Sequence, residues 1–504
     1  MKTKLLLTLS AAALGATLLC RAETVTLTSS ATVDWDKALW VVDGEVQEAG
    51  YIPSTSADVY ITNTAANQAV RPNVSNYVDP DTGKKYLLVN SLTYDLSAGW
   101  VEVQSWSGSG DNSFSYGSNP VTQAGTIKVA GDLTLTGGNF IAFNSRATGV
   151  AMEIDGNIVQ NSGNLYLGGS NASNMGGVTG LEHITVGGNV YLKNNTMLKI
   201  STINGQVLDA EGNQTGIANA VIKGSVEMAA NSKLSVNDDA TNLETTYGNA
   251  TTKGSAINQI VKVAGVNSTE ASSVITTTTT RSSSTDPIAT AHAYTGTLEI
   301  SGDGLYSYSG IVRDKEISES ASKLSVIMNS ESGSGTQILA GTNSYTGDTV
   351  VKSGTLLMGS ISADSKLVLQ GGDFGATGAN KLSINNVEWS GGGFAFDLSS
   401  GNYTLDIGSI SGEFSADMLG DFIFTNIDGE TYELISLENA NSDFAAAFDG
   451  ASALFNDGGK QFEAIFSATD NSLSVSFSQV PEPSTYAAIF GALSLVLAAY
   501  KRRK

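Results

Sequence analysis

The chain has a single cysteine, Cys20, and it lies in an apolar stretch at the N-terminus. The body that follows therefore has no disulfide framework, and its stability must come from backbone pairing and apolar stacking. Histidine is almost as scarce. His183 and His292 are far apart, so no His/Cys cluster with zinc-ligand spacing exists. Basic residues are outnumbered, 27 against 49 acidic ones, for a net charge of −22. Lys2, Lys4, Arg21 and Lys501 to Lys504 all sit at the two ends, which leaves the body more acidic still. Such a surface argues against nucleic-acid binding, because phosphate recognition rests on clustered Lys and Arg. Only seven prolines occur in 504 residues, with none between Pro120 and Pro287 or between Pro287 and Pro481. Proline removes a ladder donor, so these stretches permit uninterrupted strand pairing. There is no G-x-S-x-G, P-loop or H-E-x-x-H pattern. Asp79-Pro80-Asp81-Thr82-Gly83 alternates carboxylates as a calcium loop does, but it lacks a closing Glu and reads as a solvated turn. Asp238-Asp239 is another acidic pair. No catalytic residue, cofactor or metal ligand is assigned.

What is abundant is glycine, 55 residues, in a chain with only 15% charged residues. Val and Thr favour pleated surface, while Gly and Asn accept turn geometry. One phrase recurs: an alternating strand, a Gly-containing corner, then a second alternating strand. It is seen at Thr126 to Leu135, Met152 to Ile158, Ile184 to Leu192, Val221 to Met228 and Val261 to Val266. Alternation sends one set of side chains inward and the other out. A spacing of roughly 25 to 40 residues between corners indicates stacked units, none of which buries its apolar stripe alone. The expected fold is all-β, a right-handed parallel β-helix; a set of antiparallel sandwiches is the competing arrangement. Asp443 to Phe455 reads as a short helix that caps the far end.

Long apolar runs are confined to the ends. Lys2 and Lys4 precede the run Leu5 to Leu19, and Cys20-Arg21-Ala22 places small residues where a signal peptidase cuts, between Ala22 and Glu23. At the other end Val480-Pro481-Glu482-Pro483-Ser484-Thr485 is followed by an apolar stretch, Tyr486 to Tyr500, and by Lys501-Arg502-Arg503-Lys504. The stretch is marginally long enough for a single transmembrane helix with the basic cluster on the cytoplasmic side. Pro481-Glu482-Pro483, the short apolar helix and the basic end together resemble the PEP-CTERM sorting domain. That resemblance implies an exosortase that recognises the Pro-Glu-Pro segment and removes the tail.

A sharper signature runs from Gly341 to Leu357: Gly341, Asn343, Tyr345, Gly347, Thr349, Gly354 and Leu356 fall at the fixed positions of a G-T-N-x-Y-T-G-x-T-x-V-x-x-G-T-L pattern. This resembles the autotransporter-associated β-strand repeat, which implies a passenger-like surface β-helix. Thr349, Val351 and Leu356 are expected to face inward, Asn343 to ladder with a neighbouring winding, and Gly347 and Gly354 to form corners. Autotransporters end in a membrane barrel of alternating strands; this chain carries a helical tail instead, which favours the general export machinery over self-secretion. Trp35, Trp40, Pro53 and Asp58 to Ile61 resemble the start of passenger domains, where aromatics cover the open end. Trp100 and Trp106 fit the same cap or a sugar platform.

The resulting divisions are a signal peptide (1–22), an N-terminal β cap with Trp35 and Trp40 (23–120), a first repeat block (121–270), a low-complexity linker around Thr276 to Thr285 (271–290), a second repeat block (291–479) and a sorting anchor (480–504). The functional expectation is a non-enzymatic structural or adhesive protein of the cell surface or matrix. Its expected partners are the export machinery, signal peptidase, an exosortase, surface glycans or exopolysaccharide, and the membrane through the C-terminal helix before processing. The alternative is a secreted polysaccharide lyase or glycosidase on the same scaffold.

Overall fold

The computed structural model describes most of residues 23–481 together with 490–495. Residues 1–22, 104–125, 143–151, 170–183, 237–257, 278–294, 316–322, 482–489 and 496–504, and some shorter pieces, lie outside the description. The described residues are mostly strands, stacked in three parallel ladders.

Ladder I runs through Lys85–Val89, Thr126–Val129, Met152–Ile154, Ile184–Val186, the first halves of Asn219–Met228 and Asn258–Asn267, then Thr295–Ile300, Lys323–Asn329, Thr349–Ser353 and the start of Lys366–Ala376. Ladder II runs through Thr24–Ser29, Asp58–Asn63, Ser91–Leu96, Leu133–Thr136, Ile158–Gln160, Val190–Leu192 and the second halves of the two long strands. It then continues with Leu305–Tyr308, Thr336–Leu339, Thr355–Met358 and the end of Lys366–Ala376. Ladder III runs from Val33–Asp34 through Gln68–Arg71, Trp100–Val103, Asn139–Ala142, Asn164–Gly169, Met197–Thr202, Lys233–Ser235, Val274–Thr276 and Ile311–Val312 to Thr342–Asn343. From Lys85 to Asn343 successive windings visit I, II and III in that order, an arrangement consistent with a β-helix.

The recurring phrase forms the corner between ladders I and II. A Cβ at Gly156 would lie 2.3 Å from the carbonyl oxygen of Gly131, and one at Gly187 would lie 2.1 Å from that of Asp155. Only glycine lets the windings approach this closely. The residue after the corner glycine stitches the stack. The N–H groups of Asn157, Asn189 and Ser225 donate in turn to Asp132 Oδ1, Asn157 Oδ1 and Asn189 Oδ1, each at 2.8 Å. Inside, the inward positions of the ladders form one continuous apolar core.

Both ends are covered. At the N-terminal end the strand Thr24–Ser29 pairs antiparallel with Val41–Val42, which pairs with Glu45–Val46 through a hairpin whose turn residues Asp43 and Gly44 have φ of 50° and 89°. Two positive-φ residues suit the primed turns of tight hairpins. Trp35 and Trp40 are fully buried, their rings 4.8 Å apart, with Trp40 Nε1–H donating to the carbonyl of Trp35 at 2.9 Å. The region expected as a cap is also part of the stack, since Asp58–Asn63 and Ser91–Leu96 are ladder II strands. Most of the stretch expected as a linker, 278–290, lies outside the described residues; on its flanks Val274–Thr276 pairs on both sides, and Asn258–Asn267 pairs with Thr295–Ile300.

The C-terminal end departs from the expected parallel block. Thr431–Leu437 closes the stack by pairing antiparallel with Ser472–Gln479, which continues into Lys460–Thr469 and Ser452–Asp457. A helix does form, but only over Ser442–Phe448. Asn441 Oδ1 caps it by accepting from the N–H groups of Asp443 and Phe444, and Gly450 at φ 75° turns the chain back into strand. The cap is filled by aromatics. Trp389 lies 5.2 Å from Phe394 and 5.7 Å from Phe448, and Phe424 lies 4.8 Å from Phe455 and 5.0 Å from Phe477. The strand Thr24–Ser29 at one end and Thr431–Leu437 at the other thus meet antiparallel partners, as an open strand edge would template aggregation.

Most of the segment expected as a transmembrane helix, 480–504, lies outside the described residues; among the described residues no helix is long and apolar enough to cross a membrane. Residues 490–495 are helical.

Candidate functional site

The signature residues come together at one place, the last winding of ladder III. Gly341 lies so close beneath the preceding winding that a Cβ would sit 1.9 Å from the carbonyl oxygen of Gly310. Asn343 is buried and is in the last strand of that ladder. Its N–H donates to Ser360 Oγ at 2.8 Å, and its Nδ2 donates to the carbonyls of Ser360 and Leu339, both at 3.0 Å. The side-chain amide thus supplies bonds that another ladder strand would have supplied. Beyond it the windings shorten. The ladder I partners Val326 and Thr349 are followed by Thr349 and Leu367, only 18 residues apart.

Tyr345 is fully buried, and its hydroxyl shares a hydrogen bond of 2.6 Å with Thr349 Oγ1. Burial pushes its phenol pKa well above the usual value, which keeps it neutral. Thr349 Oγ1 is linked in turn to Ser365 Oγ at 3.2 Å, and Ser365 Oγ donates to the carbonyl of Gly347 at 2.7 Å. Thr349, Val351 and Leu356 are each fully buried. Gly347 would place a Cβ 2.3 Å from the carbonyl of Leu324, while Gly354 has φ 76°. Asp314 holds the entry to this winding: its Oδ1 accepts from the N–H groups of Thr346 and Leu324, and its Oδ2 from Thr346 Oγ1. Sequence reasoning missed Asp314, because its partners lie 10 and 32 residues away. The chemistry of this cluster is structural: hydroxyls, amides and glycines close a core.

Other candidates are dispersed. Asp79 and Asp81 form an exposed turn in which Asp79 Oδ1 accepts from the N–H of Asp81 at 2.9 Å. His183, His292, Trp106 and the pair Asp238-Asp239 lie outside the described residues, as do Ala22 and the Glu482-Pro483 part of the sorting motif. Glu23 begins the described body. Its carbonyl accepts from the N–H of Asp58 at 2.7 Å, and its Oε1 accepts from the Tyr51 hydroxyl at 2.6 Å. Pro481 follows Val480, whose N–H makes a bond of 2.9 Å to the carbonyl of Gln461. Among the described residues no group of three or more His, Cys, Asp or Glu is placed to hold a metal ion. Among the described carboxyls Asp373 is raised: burial, then the neighbouring Asp421 carboxylate, pushes it up to about 6.

Two open grooves lie on the surface. One, of about 620 Å³, borders the helix Ser442–Phe448 and includes Asp449 and Asp470. The other, of about 430 Å³, lies on the outer face of ladder II and includes Tyr191, Glu227 and Asn267. Neither includes Asp373 or Asp421.

Residues 332–358 match the family model of the passenger-associated-transport-repeat. No curated protein and no solved structure matches the chain. The matched segment covers the signature described above, and together with the parallel strand stack it fits an autotransporter-like passenger, a surface or secreted kind of protein.

Proposed function

We propose that this chain is an exported structural or adhesive protein of the bacterial cell surface or extracellular matrix, a right-handed parallel β-helix that presents repeated side-chain columns to its surroundings. The observation that carries the reading is the match to the passenger-associated-transport-repeat, which falls on residues built into the parallel stack. The acidic surface and the absence of cysteine in the body suit a solvated life outside the cell.

In this proposal the general export machinery carries the chain, signal peptidase cuts between Ala22 and Glu23, and an exosortase reads Pro481-Glu482-Pro483 and removes the tail. Two observations support the boundaries. Thr24, the second residue after the cut, opens the first ladder strand, and Val480, immediately before the motif, makes a backbone bond to the terminal sheet. Both cuts therefore leave the stack whole. The proposed role is non-catalytic.

The test is fractionation of producing cells, with mass spectrometry of both termini. The expected product begins at Glu23, lacks Lys501 to Lys504 and is digested by protease added to intact cells. Recovery in the cytosol with Met1 to Ala22 attached would overturn export. A surface form that keeps Lys501 to Lys504 would overturn exosortase sorting.

A further inference from the structure

The outer face of ladder II changes character along the stack. In the windings after Gln160, the outward column reads Tyr191, Glu227, Asn267 and Ser307, each one winding from the last. These residues line the groove of about 430 Å³, with Lys193 and Thr269 on its flank. The column is rigidly held. Asn189 Nδ2 donates to the Tyr191 hydroxyl at 3.1 Å. Ser225 Oγ and Asn267 Nδ2 donate to Glu227 Oε1 at 2.6 and 2.8 Å, and Asn267 Oδ1 accepts from the N–H of Ser307. The Lys193 ammonium sits 5.8 Å from the centre of the Tyr191 ring.

What these bonds leave over is directed at solvent. Among the described residues, Glu227 Oε2 and Ser307 Oγ accept or donate nothing, and the Lys193 ammonium has no carboxylate partner. An aromatic ring thus stands at one end of a line of fixed acceptors and donors that repeats at the strand spacing, about 4.8 Å. That spacing is close to the length of one sugar ring.

We propose that this groove binds an uncharged polysaccharide chain lying along the stack, with a sugar ring stacked on Tyr191 and successive hydroxyls bonded to Glu227, Asn267 and Ser307. The proposal rests on the surface reading above and names its ligand. Charge selects the class: a carboxylate in the groove and a chain of net charge −22 disfavour a polyanion. Backbone pairing excludes the other common ligand of a sheet. An extended peptide adds to a free strand edge, and here Val190–Leu192 is paired on both sides, to Ile158–Gln160 and to Asn219–Met228. The pre-formed hydrogen bonds fix the side chains before a ligand arrives, which lowers the ordering cost of binding.

Affinity electrophoresis of the full chain tests this, with dextran, hydroxyethylcellulose and galactomannan as neutral probes and dextran sulfate as the charged one. At least one neutral polymer is expected to retard the chain. Tyr191→Ala is expected to raise the dissociation constant about tenfold or more, Tyr191→Phe to retain binding, and Glu227→Gln and Ser307→Ala to weaken it. Should Tyr191→Ala lose its fold by circular dichroism, the two surface variants decide. Retardation by dextran sulfate alone, by no neutral polymer, or equally in folded Glu227→Gln and Ser307→Ala variants would overturn the proposal. Binding in the gel does not depend on where the cell sends the protein. Failure here therefore leaves the export reading standing, and failed export leaves the groove standing.

Discussion

Gln337 offers the most direct trial of how this stack is held. It is fully buried and points inward from Thr336–Leu339. Its Oε1 accepts from the N–H of Val266, and its Nε2 donates to the carbonyl of Val266, both at 3.0 Å, across 71 residues. The reason lies in the winding between them. Leu305–Tyr308 meets the end of Asn258–Asn267 only at the bridge between Ser268 and Tyr308, so Val266 has no ladder partner on that side. The Tyr306 ring lies against Gly265 instead, where a Cβ would approach its Cγ to 2.0 Å. The Gln337 amide takes the place of a peptide unit. Gln337→Leu keeps the bulk and removes both bonds to Val266, along with the one Nε2 gives the Ile338 carbonyl at 3.0 Å, leaving the buried donor and buried acceptor of Val266 unmet. Each unmet group costs about 1–3 kcal/mol, and the gained apolar burial offsets about 1–2 kcal/mol, so the expected loss is about 2–4 kcal/mol. A long stack need not unfold in one step, so the assay is hydrogen exchange read peptide by peptide. Peptides covering Val261 to Asn267 should exchange roughly 30- to 1,000-fold faster, at tenfold per about 1.4 kcal/mol, while the terminal aromatic sheet is unchanged. A change under about threefold there would refute the argument that the amide substitutes for a ladder partner.

Two further outcomes follow from particular positions. Gly187→Ala, whose Cβ would lie 2.1 Å from the carbonyl of Asp155, should destabilise the chain by about 1–3 kcal/mol, whereas Gly420→Ala, which meets nothing within 4 Å, should stay within about 0.5 kcal/mol; chemical denaturation of both variants checks the contrast. Asp373, pushed up to about 6 from 3.8 by burial and by Asp421, holds its proton more tightly folded than unfolded. Stability should therefore fall as pH rises from about 4 to about 6 and stay reduced above that. Asp373→Asn should remove that slope and be more stable than the parent at pH 8, by on the order of 1–3 kcal/mol; equal pH profiles for the two proteins would contradict the assignment.

Much of the stack is legible in the sequence because its determinants are local. Alternation marks the strands, and the phrase of glycine followed by Asp or Asn marks the corner, as at Gly156-Asn157 and Gly188-Asn189. A strand side chain faces in or out by its place in the alternation, and a corner without Cβ is required wherever windings touch. The repeat signature was legible for the same reason, since Gly341, Tyr345 and Thr349 act within one winding and its neighbour. The helix at the far end was legible as a helix but not in extent: Ser452–Asp457 has an alternating pattern that the antiparallel sheet buries on one face.

What the sequence could not supply is set by distance along the chain. That ladder III ends at Asn343, that Asp314 reaches Thr346 and Leu324, and that Gln337 answers Val266 all depend on which windings become neighbours. The same holds for the groove: Tyr191, Glu227, Asn267 and Ser307 are 36 to 40 residues apart, each unremarked within its own strand, and only the parallel register sets them in one line. Sequence alone determined that the chain would alternate, turn at glycine and stack. The tertiary structure decided which residues meet, because the lengths of the connections between windings fix the register and no local pattern encodes them.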